Sequence, residues 1–226
     1  VSGDERQAWD LHWRGLRQSH SLFGSLASVA RRLLFSRVVG RYTERYFAAD
    51  GLFVETGCGT SEASAGIGRE RRRLVGLDFS LEALDLARRR RLFDTLVCAD
   101  IRHLPFRDES VAGLWNLGVM EHFPEPVGAE ILGEFHRVLE PGRGTSLLFW
   151  PPTFGLSRWI LAPIEWLRSR LSGRPFRFFP DEVHRLKTRR SARDLLEAAG
   201  LEPLRVDFTP RDGFNHLILV ARKKGR

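Results

Sequence analysis

The stretch Gly51-Leu52-Phe53-Val54-Glu55-Thr56-Gly57-Cys58-Gly59-Thr60-Ser61 decides the fold. Gly51–Thr56 is a short apolar run and reads as a buried strand. Gly57 and Gly59 then make a glycine-rich turn, and Ser61–Arg69 reads as a helix opening after it. Glycine lets a backbone turn tightly and approach a ligand closely, and the start of a helix presents unpaired N–H groups.

Outward from this turn the alternation continues. Arg73–Asp78, Asp94–Ala99, Val111–Leu117 and Gly144–Trp150 read as further strands. Ser80–Arg91 reads as a helix capped by Ser80, with Leu81, Leu84 and Ala87 on one face. Pro126–Glu140 reads as another, with Ile131, Leu132, Phe135, Val138 and Leu139 at core spacing and Pro141-Gly142 as its stop. Ser191–Ala199 is a helix in which Ser191 and Asp194 have capping-box-like spacing. Glu202–Phe208 and Asn215–Arg222 are strands with no helix between them, so they pair as an antiparallel hairpin. The pattern predicts an α/β fold: a doubly wound, seven-stranded, mostly parallel sheet with an antiparallel last strand and helical additions. Four parts follow. Residues 1–49 are a helical cap, 50–150 the ligand-binding core, 151–190 an insertion, and 191–226 the end of the core sheet.

The chain has 226 residues, 36 basic and 28 acidic, for a formal charge of +8. Hydrophobic residues make up 42%, which is too many for a disordered chain. No apolar run is long enough to cross a bilayer, and Arg31, Arg32 and Arg37 interrupt the one early stretch that resembles a signal peptide. Cys58 and Cys98 are too few for a disulfide framework or a cysteine zinc site and fit the reducing cytoplasm. The charge is uneven. Residues 1–49 carry 8 basic and 4 acidic groups, residues 50–150 carry 12 and 16, and residues 151–190 carry 9 and 3. Both basic flanks are rich in aromatics, a composition that suits nucleic acid, an anionic membrane surface, an amphipathic substrate, or simply a solvated surface over an aromatic core.

Two acids accompany the glycine turn. Asp78 lies 21 residues beyond Gly57 at the end of the second strand, where a carboxylate can accept both hydroxyls of a ribose. Asp100 ends the third strand, where it can accept an adenine amino group while Ile101 packs on the ring. All these groups fall at the carboxyl edge of the sheet, where open α/β folds bind ligands. A nicotinamide dinucleotide needs glycine or alanine at the position held by Glu62, and Glu55 suits a cationic ligand better than a diphosphate.

On these motifs the run Leu52–Trp150 resembles a class I S-adenosylmethionine-dependent methyltransferase, of the broad type that includes ubiquinone and menaquinone biosynthesis enzymes. The matching pieces are VETGCGTS, VGLDFS, CADIRHLPF, NLGVMEHF and RVLEPGRG, in that order. The resemblance implies that S-adenosylmethionine is the cofactor. Glu55, Gly57 and Gly59, with Cys58 between them, would hold its methionine end. Asp78 would take the ribose and Phe79 pack on adenine. Asp100 and Ile101 would define the adenine pocket, and Asn116 and Leu117 lie beside the sulfonium. Relatives often have glycine where Ser61 stands; serine is small and suits a helix cap.

Methyl transfer from a sulfonium needs alignment and exclusion of water, and a base only where the acceptor carries a proton of high pKa. His122, after the fourth strand, is the candidate base; a hydrogen-bonded structural histidine is the alternative reading. Trp159, Trp166 and His184 in the insertion are expected to cover the substrate, and no metal site is expected. The expected partner is a small, hydrophobic or amphipathic acceptor, with peripheral membrane contact through Leu156–Leu171 or Ser25–Arg41. Two rivals remain. One is an RNA or protein methyltransferase using the basic flanks, although Asn116-Leu117-Gly118-Val119 is not the Asn-Pro-Pro-Tyr of amino-methylating nucleic-acid enzymes. The other is a non-catalytic, cofactor-binding subunit.

Overall fold

A computed structural model describes residues 3–18, 31–173 and 182–225. Its centre is a seven-stranded sheet in the order β3-β2-β1-β4-β5-β7-β6. The strands are β1 Gly51–Thr56, β2 Arg72–Asp78, β3 Thr95–Cys98, β4 Gly113–Leu117, β5 Thr145–Trp150, β6 Leu201–Phe208 and β7 Leu217–Lys223. β1 to β5 run parallel, and β7 is antiparallel to both β5 and β6. The chain order reverses between β1 and β4, which makes their carboxyl ends the switch-point crevice.

The helices are α1 Gly3–Gln18, α2 Ser36–Tyr46, α3 Leu81–Arg90, α4 Glu125–Val138, α5 Leu156–Ser172 and α6 Arg189–Ala198, with a π turn at Arg31–Phe35 leading into α2. They cover both faces of the sheet. On one face Ile131, Leu132, Phe135 and Val138 of α4 and Leu196 of α6 pack on Val54, Leu114, Leu148 and Trp150. On the other, Val38, Val39 and Tyr42 of α2 pack on Phe53, Trp115, Phe149 and Ile218. The 3.6-residue spacing of α4 and the two-residue alternation of β5 account for these contacts.

Three local expectations are corrected. The helix expected at Ser61–Arg69 is only a 3-10 turn, Glu62–Gly66. The backbone of α2 presses on it: a Cβ on Gly66 would run into the Ser36 carbonyl, and one on Gly40 into the Gly66 carbonyl. Ser61 does not cap that turn; it is left-handed, with φ at 61°. α6 starts earlier than expected, with Thr188 as N-cap and Ser191 as its capping-box partner, so Asp194 has no part in the cap. Ser80 does cap α3, its Oγ accepting the Ala83 N–H at 3.3 Å. Among the described residues no helix is long and apolar enough to cross a membrane.

Candidate active site

The crease lies at the carboxyl ends of β1, β2 and β4. The glycine turn is tied to β2, because the Gly57 and Cys58 N–H groups both donate to the Leu77 carbonyl, at 2.7 and 3.0 Å. Gly57 and Gly59 have φ of 70° and 48°, where glycine is unstrained. Asp78 is buried and spans the turn: one oxygen accepts the Gly59 N–H and the other the Ser80 N–H, each at 2.9 Å. Burial pushes its carboxyl up to about 6 against these bonds.

Glu55 is also buried, and burial pushes it up to about 8. Ser64 Oγ donates to it at 2.5 Å and accepts the Trp115 indole N–H at 3.1 Å. A buried acid at this pKa is neutral until a cation arrives, and a ligand ammonium would favour its ionised form. Burial also raises the Cys58 thiol, and the side chain packs with Leu84 and Ala87 as a small filler.

Asn116 is fully buried. Its Nδ2 reaches Thr56 Oγ1 at 3.5 Å, while its Oδ1 has no hydrogen-bond partner. Ser61 Oγ is buried and unpartnered too. Asp100 is half-buried and gripped by Arg102, whose Nη2 and Nε lie 2.6 and 3.1 Å from its oxygens; Ile101 beside it is buried. Phe79 and Leu117 are half-buried at the strand ends. The unpartnered acceptors and the neutral Glu55 fit a ligand that offers an ammonium and hydroxyl donors, as S-adenosylmethionine does.

α1, within the flank read as a helical cap, lies over this crease. A Cβ on Gly59 would meet the Trp13 ring at 2.8 Å. Asp10 Oδ1 accepts the Ser80 hydroxyl at 2.5 Å, and Arg14 pairs with Glu82 at 2.8 Å. Trp9 stacks on Trp13 and stands edge-on to His122, ring centroids 4.9 Å apart. The sequence points to a helical cap with an aromatic, basic flank, but not to the side chains that reach the turn.

His122 follows β4 as expected, beside Val119, which packs on Gly57. Burial lowers His122 to about 4, so at neutral pH it is an uncharged ring and a weak proton acceptor. Its neighbour Glu121 is buried and pushed up to about 8 by that burial. The carbonyl of Glu121 accepts the N–H groups of Val183 and His184 at 2.8 and 3.0 Å, which straps the end of the insertion to the site. The His184 ring stands edge-on to Trp150, and its carbonyl accepts the Trp150 indole N–H at 3.0 Å. Trp166, expected to cover substrate, is 64% exposed on α5. The Trp159 side chain, and residues 25–30 of the amphipathic stretch Ser25–Arg41, lie outside the described part.

Residues 54–145 match the family described as "Methyltransferase domain". A curated relative, the malonyl-[acyl-carrier protein] O-methyltransferase of Yersinia pestis, is 36% identical over 90 residues, which is 39% of this chain and 33% of that protein. The chain thus spans about a third of the length of the relative it matches. Magnesium protoporphyrin IX methyltransferase from Synechocystis, solved with S-adenosylhomocysteine, superposes with a TM-score of 0.64 at 16% identity, covering 93% of this chain and 92% of that one. The 1,6-didemethyltoxoflavin-N1-methyltransferase of Burkholderia thailandensis gives 0.63 at 18% identity, covering 99% and 92%. At these identities the two structures speak for the fold. Residues 54–145 are therefore a methyltransferase domain of the class I S-adenosylmethionine-dependent kind.

Proposed function

We propose that this protein transfers the methyl group of S-adenosylmethionine to a small, hydrophobic or amphipathic acceptor. The observation that carries the reading is the meeting of Glu55, Asp78 and the unpartnered Asn116 Oδ1 around one glycine turn. Glu55 takes the methionine ammonium, Asp78 the ribose, and Asp100 with Ile101 the adenine, with Phe79 against its ring. The bound cofactor supplies an electrophilic methyl on a cationic sulfur. The protein aligns the two reactants and excludes water, which can supply about 7–11 kcal/mol of a barrier. α1 serves the exclusion, since Trp9 and Trp13 roof the turn and His122. His122, uncharged, borders the acceptor as a hydrogen-bonding wall.

The amphipathic acceptor is supported by α5. Ile164, Leu167 and Leu171 recur at helical spacing and are exposed, Leu171 by 79%, with Arg168 and Arg170 on the same exposed helix. Such a helix suits an anionic lipid surface, so peripheral membrane contact belongs to this reading. The test is a metabolite extract incubated with methyl-labelled cofactor, fractionated into lipid, small polar, RNA and protein pools. Label in the lipid or small-molecule pool supports the proposal. Label in RNA or protein alone overturns its acceptor class, and no label in any pool favours a non-catalytic subunit.

A further inference from the structure

The turn between β6 and β7 holds a buried pair that the reading above leaves unused. Asp212 is completely buried and His216 is 9% exposed. Asp212 Oδ2 accepts the His216 backbone N–H at 2.9 Å and lies 3.2 Å from His216 Nδ1. Asp212 Oδ1 has no hydrogen-bond partner. The turn does not need the carboxylate to close, because the Gly213 N–H donates to the Pro210 carbonyl at 3.0 Å and the Phe214 N–H to the Thr209 carbonyl at 3.1 Å. A carboxylate withdrawn from water with one bare oxygen is costly unless a positive charge forms beside it. The ring beside this carboxylate is that of His216, held through Nδ1.

The pair stands at the carboxyl edge of the sheet. Leu217, the first residue of β7, pairs with Trp150, the last of β5. The His216 ring lies edge-on to Phe149 of β5 and to Phe35 of the N-terminal flank, with centroids 6.1 and 5.4 Å away. Phe149 pairs with Leu117, and its carbonyl accepts the Gly118 N–H at 3.3 Å. Asn215 lies against Gly155, just before α5. His216 therefore sits two strand positions from the residues assigned to the sulfonium, with β5 between them, where both covering flanks meet the sheet.

We infer that His216, oriented by Asp212, is the base that takes the proton of the acceptor, and that the methylated atom is an oxygen or nitrogen that carries a hydrogen. The inference rests on the methyl-transfer reading. Asp212 holds the Nδ1–H and leaves the Nε2 lone pair for the substrate. The acceptor O–H or N–H bond breaks and its proton passes to Nε2. The electron pair released forms the new bond to the methyl carbon, and the S–CH3 pair stays on sulfur, giving the neutral thioether S-adenosylhomocysteine. The imidazolium, compensated by Asp212, returns its proton to water. Asp212 is a positioning residue. His122 is the weaker base, because burial keeps it uncharged down to about 4.

The test uses the whole chain saturated with S-adenosylhomocysteine and 4-nitrophenol as the probe, whose yellow anion reports its own deprotonation. In the wild type the bound probe should ionise about one pH unit or more below the free probe, since a nearby base that can hold the proton favours the phenolate. His216→Gln should abolish that shift and Asp212→Asn weaken it, both with S-adenosylhomocysteine affinity within about twofold of wild type. His122→Gln should keep it. An unshifted probe in the wild type, or a full shift in His216→Gln, overturns the inference. A second readout avoids any folding loss at position 216: the His216 imidazole NMR titration in the wild type and Asp212→Asn proteins should differ in tautomer and midpoint, and identical curves overturn the orienting role. Absence of binding heat with S-adenosylhomocysteine sinks the methyl-transfer reading and this inference together, whereas heat without the probe shift sinks the inference alone.

Discussion

The crease under β1, β2 and β4 and the helix α5 are built on opposite principles. In the crease, acids are buried, the backbone is strapped by short bonds, and the side chains have few alternatives. On α5 no described side chain from residue 162 to 172 is buried, and leucines face outward beside arginines. A cofactor of fixed shape rewards a rigid site. A covering element that meets a variable or amphipathic acceptor can stay open and apolar. Mutations in the two regions should therefore have unlike effects.

The largest expected effect lies in the core beneath the crease. Phe135 is fully buried on α4, so Phe135→Ala should cost about 3–5 kcal/mol in chemical denaturation. A cost near zero would break the claim that this half is rigidly packed. Next comes pH. Glu55 and Glu121 are raised from 4.5 to about 8 by burial, and Asp78 from 3.8 to about 6. The folded protein keeps these protons after the unfolded chain has lost them. Their contribution is complete below about pH 4 and is lost as pH rises through 6 and then 8. The ligand-free protein should melt several degrees lower at pH 8.5 than at pH 6, and Glu121→Gln should shrink that gap. An unchanged gap in the variant contradicts the assignment.

How much of this was legible in the sequence follows from the range of each interaction. The strands, their parallel run and the final hairpin were readable because hydrophobic period and turn residues are local. Asp78 and the glycine turn were readable because the motif is contiguous. What escaped were contacts between distant segments: Ser64 bridging Glu55 and Trp115, Arg102 on Asp100, and the α1 side chains Trp9 and Trp13 that meet His122 and Gly59. Spacing says nothing about which helix roofs which turn. The shortened helix after the glycine turn escaped for the same reason, since the backbone of α2 cuts it off.

A serine at φ 61° pays a left-handed penalty that glycine avoids. Ser61→Gly should stabilise the protein by about 1 kcal/mol in urea denaturation, and a loss would mean that the unpartnered Ser61 hydroxyl has a structural role. The smallest effect is expected on α5. Leu167→Glu with Leu171→Glu should change stability by no more than about 0.5 kcal/mol and leave cofactor affinity untouched, while lowering sedimentation with anionic vesicles. A large loss of stability would show that this face is covered in the folded protein.

The most direct measurement of the central claim is calorimetric titration of S-adenosylhomocysteine into the wild-type chain and into Asp78→Ala. The account predicts a single saturable site in the wild type and an affinity about 100-fold weaker in the variant, equivalent to about 2.7 kcal/mol. No heat from well-folded wild-type protein, or equal affinity in the two proteins, would contradict it.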